Sequence, residues 1–274
     1  MDNLGQTFRE FEQAGWENPG VVTGYHEHLS GVTTQSVEAL LDAVGIGDRS
    51  RVLDVATGAG YVANAAARRG AVPIGIDFSA AQVRMAREKH PTLRFEQADA
   101  EALPFEAGTF DAVVNAFGMC HLSDPDLALR EAFRVLKRGG RVAFSVWAPP
   151  ELAIGIGAVY AAVRAHGSMD VGLPVGPNFF LFSDPEQSIR ALRSAGFASP
   201  EFRQVPQVLR MVAPDKLFEV ITEGTVRAAA MLRAQSPHAM EAIRAALRET
   251  VATYKRGDYY EIPMPAVLAT GAKP

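Results

Sequence analysis

The sequence has little of what would indicate covalent cross-links or a strongly charged partner. A single cysteine, Cys120, excludes an internal disulfide framework and leaves no cysteine-based metal site. The charge is nearly balanced, with 27 basic and 31 acidic residues, and no lysine-rich block stands out. Nucleic acid and anionic membrane are therefore poor candidates for a partner, because both attract strongly basic surfaces. We predict no metal ion.

Long apolar runs are also missing. No run reaches the roughly 18 to 20 residues that a membrane span requires, and residues 1–6 lack the basic and then apolar pattern of a secretion signal. These absences predict a soluble, cytoplasmic protein that binds no membrane. The chain has 274 residues, 48% of them hydrophobic, which suffices for one large α/β domain with an insertion or for two compact lobes.

The clearest chemical pattern lies in residues 52–60, where an apolar strand runs into a glycine-rich turn. Gly58 and Gly60 mark a turn in which the backbone takes positive φ or closely approaches a ligand. Asp54 lies just before this turn and would point its carboxylate into the same crevice. Asp77 closes the next apolar run, about 20 residues beyond the glycines, the separation expected of a carboxylate that binds a ribose. The pattern indicates an adenosine-containing cofactor.

Strands and helices alternate around this turn. Five short apolar strands separated by helices predict a parallel sheet that is covered on both faces. After the first strand, the others are predicted at residues 74–77, 93–98, 110–116 and 141–147. Later in the chain we predict a helix at 152–166, a strand at 201–211, two long helices at 214–234 and 237–254, and a last strand at 259–270.

The pattern divides the chain into four parts. Residues 1–34 are predicted to be a capping arm, residues 35–150 a cofactor-binding core, and residues 151–182 an insertion that forms a cap and acceptor pocket. Residues 183–274 complete the sheet and carry a helical insertion. The arm, residues 151–182 and the helices within 214–254 would form a helical cap over the carboxyl edge of the sheet, suited to a small organic substrate rather than a polymer.

Five segments occur in a recognisable order: residues 52–60, 75–77, 97–105, 110–113 and 134–140. Together they resemble the motif series of class I S-adenosylmethionine-dependent methyltransferases, most closely the group typified by ubiquinone and menaquinone C-methyltransferases. The resemblance covers roughly residues 35–150. It implies a doubly wound, mainly parallel seven-stranded sheet of the Rossmann-like methyltransferase type, with an antiparallel last strand. It also implies S-adenosyl-L-methionine as cofactor and a small-molecule acceptor.

The series departs from the family pattern at Ala56, where glycine is more common, and at Thr57, which is often cysteine. The additional methyl group of Ala56 is tolerable if its φ is negative.

The resemblance also implies which residues hold the cofactor. Asp54 would receive the ammonium of the methionine part, which lies over the Thr57–Gly60 backbone, and Asp77 would accept the ribose hydroxyls. Asp99 would accept a hydrogen bond from the adenine amino group. Phe78 would flank the adenine, and Ala100 would donate its backbone N–H to an adenine ring nitrogen. The residues that would lie near the sulfonium are Asn115, Ala116 and Phe117. The predicted cofactor-binding set is Tyr25, Asp54, Ala56, Thr57, Gly58, Gly60, Asp77, Phe78, Asp99, Ala100, Asn115, Ala116 and Phe117.

The residues for catalysis and for the acceptor carry a weaker signal. His121 follows the fourth strand into the crevice and is the candidate general base, although a loop histidine that packs near the cofactor has the same position. His166, Phe179 and Phe180 are the candidate acceptor-binding residues. The apolar character of this region predicts a hydrophobic acceptor that is neutral or weakly anionic.

Two alternatives to methyl transfer remain open on the sequence. Residues 58–63 also fit the G-x-G-x-x-G/A pattern of dinucleotide-binding proteins, so a nicotinamide-dependent oxidoreductase is one alternative. A methyltransferase fold that performs a non-methylating reaction, such as a cyclisation, is the other. The sequence specifies neither the acceptor, nor the methylated atom, nor the oligomeric state.

Overall fold

The computed structural model describes residues 4–274. The first three residues of the predicted capping arm lie outside this range. The strands are β1 (Arg51–Val55), β2 (Val72–Asp77), β3 (Arg94–Gln97), β4 (Phe110–Ala116), β5 (Leu136–Trp147), β6 (Ala198–Val205), β7 (Val208–Met211), β8 (Lys255–Arg256), β9 (Tyr259–Pro263) and β10 (Ala266–Ala272). The helices are α1 (Leu4–Trp16), α2 (Pro19–Thr33), α3 (Val37–Val44), α4 (Tyr61–Arg68), α5 (Ala80–Lys89), α6 (Pro125–Val135), α7 (Ile154–His166), α8 (Pro185–Ser194), α9 (Lys216–Gly224), α10 (Arg227–Arg233) and α11 (Pro237–Ala252).

Seven strands form the main sheet in the order β3-β2-β1-β4-β5-β10-β6. The strands from β3 to β5 pair in parallel, and β10 runs antiparallel to both β5 and β6. This arrangement confirms the predicted fold class, including the antiparallel last strand. The strand order reverses between β1 and β4, and such a switch point opens a crevice beyond the carboxyl ends of the strands.

Strand β1 lies inside the sheet, between β2 and β4, and it is apolar on both faces. Val52 packs in the hydrophobic core on one side of the sheet and Leu53 in the core on the other, as the two-residue repeat of a strand requires. Both side chains are fully buried. A continuous apolar run of this kind is typical of a parallel strand that is covered by helices on both faces.

The predicted last strand at residues 259–270 is wrong in one respect, because two strands occupy this range. Strand β10 belongs to the main sheet, whereas β9 belongs to a second sheet in the order β7-β9-β8. Pro263 and Pro265 frame the break, and proline cannot donate a backbone hydrogen bond to a neighbouring strand. The chain leaves one sheet here and enters the other.

Two further predicted elements are also divided. The strand predicted at 201–211 is split at Pro206, so that β6 lies in the main sheet and β7 in the second sheet. The helix predicted at 214–234 is split into α9 and α10, because Thr225 takes an extended conformation with φ −132° and ψ 157°. In both places the composition looks continuous, and a local backbone change ends the element.

Helices α2 and α9 cross at two glycines. A Cβ built on Gly24 would lie 2.4 Å from the carbonyl oxygen of Glu223, and Gly224 faces the backbone of Gly24 in return. Only glycine allows the two backbones to approach this closely. The contact docks α2 against α9, and α2 contributes Tyr25 and His26 to the wall of the crevice.

Candidate active site

A cavity of about 330 Å³ opens at the carboxyl ends of β1, β2 and β4, and α1 and α2 contribute to its outer wall. We call it the strand-end cavity. It brings together most of the predicted site residues, namely Tyr25, Ala56, Thr57, Gly58, Asp77, Phe78, Asp99, Ala100, Ala116, Phe117 and His121. Asp54, Gly60 and Asn115 do not line it.

Asp77 is held rigidly at the end of β2. Its Oδ2 accepts a hydrogen bond from the Gly58 N–H and its Oδ1 from the Ser79 N–H, both at 3.0 Å. Burial raises the pKa of Asp77 to about 6, although both hydrogen bonds and the charge of His121 oppose the rise. Each carboxylate oxygen retains lone-pair capacity, so Asp77 can accept further hydrogen bonds from a ligand in the cavity.

The turn between β1 and α4 requires left-handed backbone at Ala56, Gly58 and Gly60, whose φ angles are 55°, 53° and 81°. The condition under which the additional methyl group of Ala56 would be tolerated without strain, a negative φ, is therefore not met. A residue with a Cβ pays about 1–2 kcal/mol for this conformation. The space at Gly58 is open, with Gln82 Oε1 the nearest atom to a built Cβ at 3.9 Å. This glycine forms the kind of cradle that a ligand can approach closely.

Gly60 is closely packed and lies outside the cavity lining. A Cβ built there would lie 2.7 Å from Cζ of Phe95, behind the turn. Asp54 also supports the turn from behind, because its Oδ2 accepts hydrogen bonds from Thr57 Oγ1 at 2.6 Å and from the Ala63 N–H at 3.0 Å. Burial raises the pKa of Asp54 to about 7, and its Oδ1 is buried without a partner among the described residues.

Asp99 follows β3 and already has partners. Its Oδ1 accepts a hydrogen bond from the Glu101 N–H at 2.8 Å, and its Oδ2 pairs with the guanidinium of Arg9. Arg9 also pairs with the Glu101 carboxylate. Arg9 of α1 thus forms an ion pair with the carboxylate that was predicted to accept a hydrogen bond from the adenine amino group.

The residues after β4 divide into two groups. Asn115 turns away from the cavity, and its Oδ1 accepts a hydrogen bond from the Gly118 N–H at 2.9 Å. Ala116 and Phe117 line the wall. Phe117 has a left-handed φ of 60°, and its ring packs against Trp147 with 4.3 Å between centroids. The hydrogen bond of Asn115 therefore shapes the bend that places its two neighbours in the wall.

His121 is in contact with α1. Its Nδ1 lies 2.8 Å from Oε2 of Glu12, and the Trp16 ring meets it edge-on at 5.1 Å. Burial alone would lower the pKa of His121, but Cys120 and Glu12 favour the charged imidazole more strongly, so the pKa is raised well above 6.5. At neutral pH His121 can therefore act as a base only from its deprotonated fraction. Its catalytic role stays a prediction.

Tyr25 contributes a phenol to the same wall. Its ring meets the Trp16 ring edge-on at 5.4 Å, and burial raises the pKa of its hydroxyl well above 10. The hydroxyl therefore stays protonated throughout the physiological pH range and can donate a hydrogen bond.

The residues that line the strand-end cavity include several outside the predicted site, among them Arg9, Glu12, Trp16, His26 and Tyr61. One signal could have pointed to Glu12. Phe8, Glu12 and Trp16 recur every four residues and share one face of α1, so the carboxylate lies on an otherwise aromatic face. The contact between His26 Nδ1 and the Tyr61 hydroxyl joins α2 to α4 and has no comparable sequence signal.

A second cavity, of about 1080 Å³, is lined by residues between 150 and 180 and by side chains of α10 and α11. We call it the insertion cavity. The predicted acceptor residues His166, Phe179 and Phe180 all line it. The rings of Tyr160, Phe180, Phe179 and His121 follow one another with centroid separations of 5.9, 5.1 and 6.1 Å. The Phe179–His121 contact connects the two cavities.

Within residues 4–274 no helix combines the length and the apolarity needed to cross a lipid bilayer. The same part of the chain contains no group of three or more His, Cys, Asp or Glu side chains arranged to hold a metal ion.

Comparison with known proteins agrees with this geometry. A family pattern described as a methyltransferase domain matches residues 53–144. The demethylmenaquinone methyltransferase of Streptomyces avermitilis is 33% identical over 173 residues, which cover 60% of this chain and 74% of that protein. The Thermus thermophilus protein of the same name is 36% identical over 55% of this chain and 69% of its own length. Two further relatives with this name are matched over 51% and 49% of their length.

Among solved structures, a phosphoethanolamine N-methyltransferase 2 of Haemonchus contortus superposes with a TM-score of 0.61 at 18% identity, over 97% of this chain and 60% of that protein. This likeness concerns the fold alone. The sequence relatives confirm the predicted S-adenosylmethionine-dependent methyltransferase and favour neither the nicotinamide-dependent nor the non-methylating alternative. The chain therefore belongs to the methyltransferase family that includes the demethylmenaquinone methyltransferases.

Proposed function

We propose that the protein methylates a hydrophobic, quinone-like small molecule, with the cofactor in the strand-end cavity and the acceptor in the insertion cavity. The observation that carries this proposal is the contact between His121, which lines the first cavity, and Phe179, which lines the second, at 6.1 Å between ring centroids. A methyl group can pass directly between ligands only where their two sites meet.

The strand-end cavity is suited to the cofactor. Its residues provide an open glycine at Gly58, a fixed carboxylate at Asp77, and a second carboxylate at Asp99 on the neighbouring loop. Asp77 would accept the ribose hydroxyls and Asp99 the adenine amino group, once Arg9 shares or releases it. When bound, S-adenosylmethionine supplies an activated methyl group whose transfer leaves the bonding electron pair on sulfur.

The predicted contact with the methionine part shifts from Asp54 to neighbouring residues. Asp54 stabilises the glycine turn through Thr57 and Ala63 and is buried behind the wall. It would therefore act on the cofactor through the shape of the turn. The edge of the methionine part would instead meet Tyr61 at the start of α4 and His26 of α2, which both line the cavity.

The insertion cavity is suited to an apolar acceptor. Its lining contains Phe179, Phe180 and Tyr160 together with Gly157 and several alanines of α7. Aromatic rings of this kind bury large apolar area against a flat ring system. The sequence relatives described above bear the name demethylmenaquinone methyltransferase, which supports a quinone-like ring as the first acceptor to test.

The test incubates the protein with methyl-deuterated S-adenosylmethionine and demethylmenaquinol, and detects the product by mass spectrometry. Menaquinol, which already carries the methyl group, is the matched control acceptor. We expect a gain of one labelled methyl group with demethylmenaquinol alone. If S-adenosylhomocysteine binds but no label enters demethylmenaquinol, the quinone-like acceptor is wrong.

A further inference from the structure

The proposed function leaves one buried charged group without a role. Glu12 of α1 is only 2% exposed, and it faces the strand-end cavity. Its Oε2 accepts a hydrogen bond from Trp16 Nε1 at 3.2 Å and lies 2.8 Å from His121 Nδ1. The carboxylate therefore has two partners on the same oxygen, one from its own helix and one from the loop after β4.

A purely structural reason for Glu12 is weak. Replacing a buried ion pair by well-packed apolar side chains is often neutral or stabilising, because both charges must be desolvated. The surrounding residues on this face of α1 are apolar and aromatic, including Phe8 and Trp16, so an apolar residue could occupy the position. The Glu12 carboxylate is buried here although its desolvation costs free energy, and this points to a role in its contact with His121.

We propose that Glu12 is the positioning residue that orients His121 as the proton acceptor at the junction of the two cavities. The inference rests on the proposed function and deepens it. Glu12 accepts a hydrogen bond from the Nδ1–H of His121, and this fixes the tautomer in which Nε2 carries the free lone pair. The same logic of a carboxylate that orients a histidine operates in catalytic triads on unrelated folds.

The proton balance of this step is simple. The acceptor loses one proton from the atom or hydroxyl that reacts, and the electron pair of that bond stays with the acceptor. Nε2 of His121 takes the proton and becomes an imidazolium, which the negative charge of Glu12 stabilises. The proton then passes to water when the product leaves.

Glu12 reaches His121 only when α1 is docked. Three other contacts hold the helix and its end in place: Ser79 Oγ donates to the Trp16 carbonyl at 2.8 Å, the Ala80 N–H donates to the Glu17 carboxylate at 2.6 Å, and Arg9 pairs with Asp99. These partners belong to the ribose and adenine end of the cavity. The orientation of His121 therefore depends on the same docking of α1 that places Arg9 and Trp16 in the cavity wall.

The charges that face His121 determine its titration. Glu12 approaches from α1, Asp77 from the end of β2 and Cys120 from its own loop. Because the pKa of His121 is raised, the neutral form that can accept a proton is lost as the pH falls through that value. Removal of the Glu12 charge should lower the pKa and move this loss to lower pH.

The primary test is a nitrogen-15 NMR titration of His121 in protein saturated with S-adenosylhomocysteine, with His121→Gln to assign the signal. Glu12→Gln should lower the pKa of His121 by about 1 to 3 units, the range expected for loss of an adjacent opposite charge. Glu10→Gln is the matched control, because Glu10 lies on the same helix and is exposed. An unchanged titration in Glu12→Gln would overturn the proposal.

Glu12→Asp provides a second variant that keeps the charge and shortens its reach, so it remains informative if Glu12→Gln does not fold. It should give a smaller decrease of the pKa of His121, and no decrease would contradict the proposal. With demethylmenaquinol as the acceptor, the low-pH limb of kcat should shift to lower pH in Glu12→Gln and stay in place in Glu10→Gln. His121→Gln should lower kcat by about 10²- to 10⁴-fold with cofactor binding intact.

The two proposals fail differently. Loss of S-adenosylhomocysteine binding, or absence of methyl transfer, counts against the proposed function. If the wild-type protein transfers methyl groups normally but Glu12→Gln does not shift the low-pH limb of kcat, only the role of Glu12 is contradicted.

Discussion

Asp77 offers the sharpest test of the cofactor site, because its carboxylate is fixed by the structure. The Gly58 and Ser79 amides hold it at the end of β2, where it faces the cavity. The change to make is Asp77→Asn, which keeps the shape of the side chain and removes its charge. The amide can accept from only one of the two N–H groups through its oxygen, because its nitrogen is a donor.

The expected loss follows from the chemistry of the contact. A hydrogen bond to a charged group contributes about 1.5 to 3 kcal/mol, which corresponds to about 10- to 150-fold in the dissociation constant. Titration calorimetry with S-adenosylhomocysteine should show this weakening in Asp77→Asn. Asp111→Asn is the control, because Asp111 lies at the opposite end of β4, where it pairs with Lys137. It should leave the affinity unchanged.

The pH dependence gives an independent check. Burial raises the pKa of Asp77 to about 6 in the protein without ligand. Below that pH the carboxyl is protonated, so the dissociation constant should rise by up to about tenfold per pH unit as the pH falls further. In Asp77→Asn this rise should be absent. A wild-type affinity that is constant between pH 5 and 7.5 would refute the assignment of Asp77 as the ribose acceptor.

The raised pKa of Asp77 also predicts how the stability of the protein without ligand depends on pH. A carboxyl whose pKa is higher in the folded than in the unfolded chain costs stability as the pH rises from the unfolded to the folded value. For Asp77, whose pKa rises from 3.8 to about 6, the cost is about 3 kcal/mol, at about 1.4 kcal/mol for each unit. Cofactor binding should offset part of this cost.

Four further changes have defined outcomes. Ala56→Gly should raise the free energy of unfolding by about 0.5 to 1 kcal/mol in urea titrations, since relief of the left-handed strain exceeds the added backbone entropy. The control Ala59→Gly, in the same turn, should lower the free energy of unfolding. A lower free energy of unfolding in Ala56→Gly would contradict the strain at this residue. Phe179→Ala should raise KM for the acceptor and leave the affinity for S-adenosylhomocysteine nearly unchanged; an equal loss of both would place Phe179 in the cofactor site. Addition of cofactor should protect residues 16–28 from hydrogen exchange, and unchanged exchange would remove the idea that this arm closes as a lid. Asp54→Asn should reduce the decline in stability between pH 4 and 7, because burial raises the pKa of Asp54 to about 7; an unaltered decline would place its cause elsewhere.

Local sequence determined the part of the site that a short segment builds by itself. The strand, glycine turn and helix from Arg51 to Arg68 form from consecutive residues, and Asp77 follows one strand later. In a parallel sheet every strand end reaches the same edge, so residues that follow strands meet there without knowledge of distant contacts. Asp77, Asp99 and Phe117 could be predicted for this reason.

Sequence pattern was less informative about backbone angles and breaks. Ala56 has an ordinary composition but takes a φ of 55°, because the turn between β1 and α4 imposes it. The breaks at Pro206 and near Pro263 move the chain between two sheets, and an apolar run does not reveal which sheet each half will join. Gly60 and Gly58 are the same residue type in the same turn, yet their surroundings differ. Phe95 packs against Gly60, whereas Gly58 lines the cavity.

Only the tertiary structure placed α1 beside the site. Arg9 lies 90 residues from Asp99 along the chain, and Glu12 lies 109 residues from His121. No local periodicity relates such pairs, since each contact depends on how α1 packs against the finished sheet. The sequence by itself determined the fold, the cofactor class and one wall of the cavity. The opposite wall, the Glu12–His121 contact and the meeting of the two cavities at Phe179 were decided by packing between distant parts of the chain.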